Sequence, residues 1–236
     1  MIEAVVFDLD GVLLDSEQVW DEVREELARE RGGRWHEQAQ RDMMGMSSPE
    51  WSRYMHQVIG LREPPEEISA EVVRRMAGRY RDGLPLLPGA AEAVERLAAR
   101  WPLGLASSSN RPLIDLVLEV SGLARFFRAT VSSEEVARGK PAPDVFLEAA
   151  RRLGLPPERC TVVEDSANGI RAGRAAGMLV VAIPNPHFPP DDEALAAADV
   201  VLGSLEELGP TTFSENVSGT GRPVVSDGRA GEARTS

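Results

Sequence analysis

Two carboxylates, Asp8 and Asp10, stand two residues apart directly behind the apolar run Val5-Val6-Phe7, and Gly11 follows them. The run has no polar alternation, which is the pattern of a strand buried on both faces of a parallel sheet. Asp8 therefore marks the carboxyl end of a strand, where open α/β sheets place their ligands. Acids this close repel and raise one another's pKa, an arrangement suited to holding a cation or sharing a proton. A solvated Asp-Gly turn is the plainer reading of the same residues. A calcium loop starting at Asp8 is excluded, because Val12, Leu13 and Val19 stand where it needs an oxygen ligand, a glycine and a glutamate.

Three later stretches hold groups that would complement such a pair. Ser107, Ser108, Ser109 and Asn110 follow the apolar run Leu103 to Ala106, Glu164 and Asp165 follow Thr161 to Val163, and Lys140 precedes Pro141-Ala142-Pro143. Lys140 is the only lysine in the chain, every other basic side chain being arginine. A compact ammonium suits the space beside a metal-bound phosphate better than a planar fork. If these strand ends share one edge, Asp8 and Asp165 offer hard oxygens for Mg²⁺, and Ser107 with nearby amides donates to phosphoryl oxygens. Taken singly, the serine run and the Glu164-Asp165-Ser166 turn read as helix caps. Gly169, Gly173 and Gly177 read as packing positions against the sheet.

The elements that must position these groups follow from periodicity. Ser16 or Asp15 caps a helix carrying Val19, Trp20, Val23 and Leu27 and ending near Gly32-Gly33. Further helices are expected from Ser47 or Ser48 to about Ile59 and from Ser69 to Arg81. No strand-like run occurs between 16 and 84, which points to a helical unit inserted behind the first strand. From Leu86-Leu87-Pro88-Gly89 onward helices alternate with short apolar runs at 103–106, 129–131, 161–163, 179–183 and 200–202, giving an α/β parallel sheet sandwiched by helices. From Gly209 to Ser236 the composition turns to Gly, Ser, Thr, Arg and Pro, and a disordered tail is expected.

A chain of 236 residues with net charge -12 disfavours nucleic acid or an anionic membrane as partner and favours a small-molecule ligand. The start of the chain lacks a leader pattern and no run is long enough to span a membrane, so a cytoplasmic protein is expected. Cys160 can form no intrachain disulfide and reads as a core position, and the three scattered histidines lack zinc spacing. Oligomeric state is not legible.

The four ordered motifs resemble those of the haloacid dehalogenase-like phosphohydrolases, in particular the capped, β-phosphoglucomutase-like subgroup, over about residues 1 to 208. The resemblance implies a Rossmann-like core at 1–15 and 85–208, a helical cap domain at 16–84, and a Mg²⁺-dependent phosphatase acting on a small phosphomonoester such as a sugar or polyol phosphate. It implies Asp8 as nucleophile and metal ligand, and Asp10 as general acid and base with its backbone carbonyl on the metal. Ser107, Ser108 and Lys140 would hold the phosphoryl group, Glu164 and Asp165 would complete the metal site, and Asn110 would lie near the substrate mouth. Trp20 stands where the sugar phosphomutases carry a histidine, and Ser47 and Ser48 where they carry an arginine, which weakens a phosphosugar mutase as the alternative. A phosphometabolite sensor is the non-enzymatic alternative. Periodicity leaves open whether Trp20, Trp51, Arg74 and Arg75 face the site or the interior of the helical unit.

Overall fold

The computed structural model describes residues 1–43, 46–213 and 224–225. Among them a single parallel sheet is formed by β1 (Ala4–Phe7), β2 (Leu103–Ser107), β3 (Phe127–Ser132), β4 (Cys160–Glu164), β5 (Leu179–Ala182), β6 (Val200–Val201) and β7 (Val224–Val225). Their spatial order is β3-β2-β1-β4-β5-β6-β7. The chain builds outward from β1 in one direction and from β4 in the other. The carboxyl ends of β1 and β4 thus flank the point where strand order reverses, the crevice that such sheets use for ligands.

Strand β1 is buried along its whole length because each face meets a separate layer of helices. Val5 and Phe7 pack with Leu103, Leu105 and Val163 into a cluster that includes the helices α5 (Ala90–Ala98) and α6 (Arg111–Ser121). Ala4 and Val6 turn the other way, toward α7 (Asp144–Leu153) and α8 (Ala167–Ala175). Cys160 lies in this second layer, fully buried as its apolar setting suggests. Strand-forming residues on both faces explain why this run carries no polar alternation.

Between β1 and α5 the described chain is helical: α1 (Glu17–Glu30), α2 (Ala39–Met43), α3 (Ser48–Tyr54) and α4 (Pro65–Asp82). Asp15 donates its N–H to the Pro85 carbonyl (2.8 Å), and Leu87 donates to Leu13 (3.0 Å), so the chain enters and leaves this helical stretch side by side. Helix α4 starts at Pro65, earlier than the Ser69 expected, because a proline is tolerated in the first turn. The helix expected to run to Ile59 ends its α-helical part at Tyr54 and continues as one wider π turn, Met55–Ile59, closed by Gly60 in the left-handed region (φ 88°). Helices α2 and α9 (Asp192–Ala196) are too short to present a full periodic stripe, and the sequence pattern missed both.

The tail expected to be disordered from Gly209 instead begins with an ordered turn, Pro210–Phe213. Phe213 packs edge-on against Trp101 with ring centroids 5.1 Å apart, and Arg96 bonds the Leu205 and Leu208 carbonyls just upstream. Residues 214–223 and 226–236 of that expected tail lie outside the described residues. Because Phe213 is buried among core residues, Phe213→Ala should lower unfolding stability by about 3 kcal/mol in a denaturant titration. An unchanged midpoint would mean that this aromatic is not part of the core.

Candidate active site

Parallel register brings the first site residues into one row. Phe7 pairs with Leu105 on one side and Val163 on the other, so the next residues, Asp8, Ala106 and Glu164, stand abreast across β1, β2 and β4. The Lys140 ammonium bonds to all three: Asp8 Oδ1 at 2.6 Å, Glu164 Oε1 at 2.6 Å and the Ala106 carbonyl at 3.2 Å. The ammonium nitrogen also lies over the Phe146 ring, 4.9 Å from the centroid. An ammonium has three N–H groups, and here each has an acceptor.

Asp8, Glu164 and Asp165 are buried, and each offers a carboxylate oxygen within 4.8 Å of the others. One ammonium cannot balance three carboxylates. Burial, more than the partly offsetting Lys140 charge, raises Asp8 to about 8, with Glu164 and Asp10 adding to the rise. Burial together with Glu164 and Asp8 raises Asp165 well above the ordinary carboxylate range. For Lys140 burial acts downward, but Asp8 and Glu164 outweigh it and hold the ammonium above its usual value. A hard divalent cation among these oxygens would relieve the crowding, and the donor set fits one.

Two glycines make room for this cluster. Gly11 lies in the left-handed region (φ 81°), and a Cβ there would collide with the Asp165 carboxyl. Gly169 faces the Glu164 carboxyl, which a Cβ would overlap. The three glycines of this stretch therefore differ. Gly173 lies against Val180 and Val162 as a packing position, whereas Gly177 has open space and a left-handed turn conformation (φ 75°).

Asp10 is held by four donors. Ser16 Oγ (2.6 Å) and Trp20 Nε1 (3.2 Å) bond Oδ1, while Ser109 Oγ (2.6 Å) and Ser107 Oγ (3.4 Å) bond Oδ2. Its carboxyl lies apart from the metal-capable cluster, so a metal role for Asp10 would fall to its backbone. Ser107 was expected to face a phosphoryl group, yet its hydroxyl points at Asp10 and also accepts the Ser109 N–H (3.0 Å). Ser108 and Ser109, with Asp8, Asp10, Lys140 and Asp165, line a cavity of about 490 Å³.

Asn110 stands just behind the cavity wall, next to Ser109 and bonded to Ser48, which both line it. Its amide donates to Glu134 Oε1 (2.6 Å) and its carbonyl accepts from Ser48 Oγ (2.8 Å), which ties α3 to the start of α6. Glu164 is also off the wall. Its second oxygen accepts the Asp165 and Ser166 N–H groups and the Ser166 hydroxyl, so it braces the loop as well as Lys140.

The wall facing the strand ends comes from the helical unit, through Glu17, Trp20 and Arg24 of α1 and Trp51 of α3. Spacings of three and four place the α1 residues on one stripe. Glu17 accepts a hydrogen bond from Gln40 (3.0 Å), and burial with Asp10 nearby raises its carboxyl to about 7. Arg24 packs against two indoles that touch each other, 4.7 Å from the Trp20 centroid and 4.8 Å from that of Trp51, the two centroids being 6.0 Å apart. Two such contacts, worth about 2 kcal/mol each when desolvated, stand against several kcal/mol for burying the ion. Burial lowers Arg24 to about 10, against the opposing pull of Glu17, Asp10 and Asp21. Of the residues left open by periodicity, Trp20 and Trp51 face the cavity, whereas Arg74 and Arg75 pair with Glu71, and Arg75 also with Glu30, on the surface. Glu17 and Arg24 were not singled out as site residues, and only their helical spacing from Trp20 pointed to them, whereas Ser109 stood in the strand-end serine run without a role of its own.

Comparison with known proteins agrees with this geometry. The family model for haloacid dehalogenase-like hydrolases matches residues 2–177. Hexitol phosphatase B of Escherichia coli (strain K12) is 34% identical over 219 residues, covering 88% of this chain and 94% of that protein. The bifunctional riboflavin kinase/FMN phosphatase of Arabidopsis thaliana is 32% identical over 86% of this chain, which spans only 54% of that longer protein. Among solved structures, CbbY from Rhodobacter sphaeroides in complex with phosphate superposes with a TM-score of 0.81 at 28% identity, covering 91% of this chain and all of that one. No helix among the described residues is long and apolar enough to cross a membrane. With the match spanning most of the chain and the strand-end carboxylates in place, the protein belongs to the haloacid dehalogenase-like hydrolases.

Proposed function

We propose that this chain is a Mg²⁺-dependent phosphatase that hydrolyses a small sugar or polyol phosphate through an aspartyl phosphate on Asp8. The observation that carries the reading is the convergence of Asp8, Glu164 and Asp165, the first two bonded to the Lys140 ammonium, with the oriented carboxyl of Asp10 lining the same cavity as Asp8 and Asp165. The hexitol phosphatase relative supports the substrate class. Helices between 16 and 84 act as a cap that supplies the wall opposite the strand ends and excludes water.

Lys140 occupies Asp8 Oδ1, and no described donor engages Oδ2, which is the oxygen placed to attack phosphorus. The new Asp8–phosphorus bond forms as the bond to the ester oxygen breaks, and Asp10 gives that oxygen its proton. In the second half, Asp10 takes a proton from water as the water oxygen attacks phosphorus. Inorganic phosphate leaves and the Asp8 carboxylate is restored. To reach the ester oxygen, Asp10 exchanges one of its four protein donors for substrate. The 3.4 Å contact from Ser107 is the longest, so that hydroxyl is the one most readily turned to a phosphoryl oxygen, beside Ser108.

Asp8 and Asp165 would hold Mg²⁺ with the Asp10 backbone carbonyl, and Glu164 adjoins them. When bound, the ion neutralises phosphoryl charge that protein donors alone would have to stabilise. Proton transfer contributes roughly 10²- to 10⁴-fold, far short of what monoester hydrolysis requires, so electrostatic stabilisation must supply the larger share.

With sorbitol 6-phosphate and Mg²⁺, Asp8→Asn should abolish phosphate release, while Asp10→Asn should lower kcat roughly 10²- to 10⁴-fold. Release undiminished in the Asp8 variant would rule out the mechanism. A second expectation follows from the Asp8 carboxyl at about 8 in the metal-free protein. At pH 7 its proton must leave before the oxygen can serve as a ligand, and Asp165 is raised as well, so Mg²⁺ binding should release at least about one proton and tighten as the pH rises toward 8. Calorimetry in buffers of different ionisation enthalpy measures this, and binding with no proton release would contradict the assignment.

A further inference from the structure

The cavity has a lip on the sheet side that the mechanism leaves unused. Between β5 and α9 the chain runs Pro184-Asn185-Pro186-His187-Phe188-Pro189-Pro190, and its last four residues line the cavity together with Asp191. Four prolines in these seven residues each fix a backbone angle. The side chain of the buried Asn185 accepts the His187 N–H (2.9 Å), and Asp191 accepts the Ala194 N–H (2.7 Å) and pairs with Arg171 of α8 (2.9 Å). The loop is thus tied at both ends and stiffened between them, so a side chain it presents is preorganised for a ligand. Phe188 is that side chain, a half-buried phenyl ring in the cavity lining.

From the helical unit the same cavity is lined by Trp20, Trp51, Met43 and the half-buried Met46. Several polar groups of the lining are already turned to protein partners. The Trp20 N–H bonds Asp10, the Ser48 hydroxyl Asn110, the Ser166 hydroxyl Glu164, and Glu17 is engaged by Gln40. Away from the phosphoryl end the cavity therefore presents aromatic and thioether surface more than uncommitted donors and acceptors. A leaving group made only of hydroxyls would give up water there for few hydrogen bonds, whereas a flat ring loses only unfavourable contact with water. Thioethers such as Met46 adapt to the edge of such a ring.

We propose that Phe188 is a specificity-determining residue on which a flat heteroaromatic ring at the far end of the substrate stacks. The proposal rests on the phosphatase reading of the same cavity and narrows its substrate class to sugar or polyol phosphates that carry such a ring, as nucleoside and flavin monophosphates do. The volume of about 490 Å³ falls within the range of sites that enclose ligands of this size. A stacked ring is worth on the order of 10-fold in affinity.

Riboflavin 5′-phosphate and ribitol 5-phosphate share the reacting end and differ by the ring system at the other, and uridine 5′-monophosphate and ribose 5-phosphate form a second such pair. With wild-type protein and Mg²⁺, kcat/KM should favour the ring-bearing member of at least one pair roughly 10-fold or more. Phe188→Ala should bring the ratio within that pair toward one by raising KM for the ring-bearing member, and Phe188→Tyr, which keeps a ring, should preserve it. Equal kcat/KM within both pairs, or an equal fall for both members in Phe188→Ala, would overturn the proposal. Calorimetric titration of the Asp8→Asn protein with the same four compounds reads the preference without chemistry. Tighter binding of a ring-bearing member, lost when Phe188→Ala is added, upholds the Phe188 assignment even where none of the four releases phosphate, a result that would count against the phosphatase reading alone. Equal affinity within both pairs refutes the assignment and leaves the phosphatase reading standing.

Discussion

The site is organised by a single buried ammonium that joins three strand ends. Lys140 reaches the row formed by Asp8, Ala106 and Glu164, so the β1, β2 and β4 strands are locked in register at the edge where chemistry would occur. Two carboxylates can share so small a buried space only with a cation between them. A third, Asp165, leaves an excess of negative charge, and that excess gives the site its appetite for a divalent ion. The same imbalance raises Asp8 and Asp165 in the metal-free protein. Sheet topology places this row at the reversal between β1 and β4, and Gly11 and Gly169 clear the volume the carboxyls occupy.

Most of this arrangement was legible in the sequence because it is written in contrasts. An unalternating apolar run that stops at an acid marks a buried strand end, and one lysine among arginines marks a position where a point charge is needed. What resisted reading depended on side-chain direction, which periodicity does not carry. Ser107 and Asn110 occupy the expected loop, but Ser107 turns toward Asp10 and Asn110 is held between Ser48 and Glu134. Arg24 falls on the buried stripe of α1 beside Val23 and Leu27, where an apolar neighbourhood gives no sign that the side chain lines the cavity. Phe213 is one aromatic in a polar stretch, and its partner Trp101 is more than a hundred residues away in sequence.

The two halves of the cavity divide the work between them. In the proposed mechanism the strand ends supply the groups that act on any phosphoryl ester: a nucleophilic carboxylate, an acid and base, a lysine and a place for a metal. The wall from α1 and α3 stands opposite them, and here two touching indoles and a guanidinium pack against one another. Trp20 belongs to both halves, since its indole N–H also fixes Asp10. One side chain thus ties the helical wall to the carboxyl of Asp10.

The claim on which the account rests is that the Asp8 carboxylate itself takes up the phosphoryl group. Rapid acid quench during steady turnover, followed by peptide mass mapping, measures this directly. The account predicts a phosphoryl adduct on the peptide containing Asp8, lost in Asp8→Asn and accumulating in Asp10→Asn. Turnover with no adduct on that peptide, or with the adduct on another residue, would contradict it.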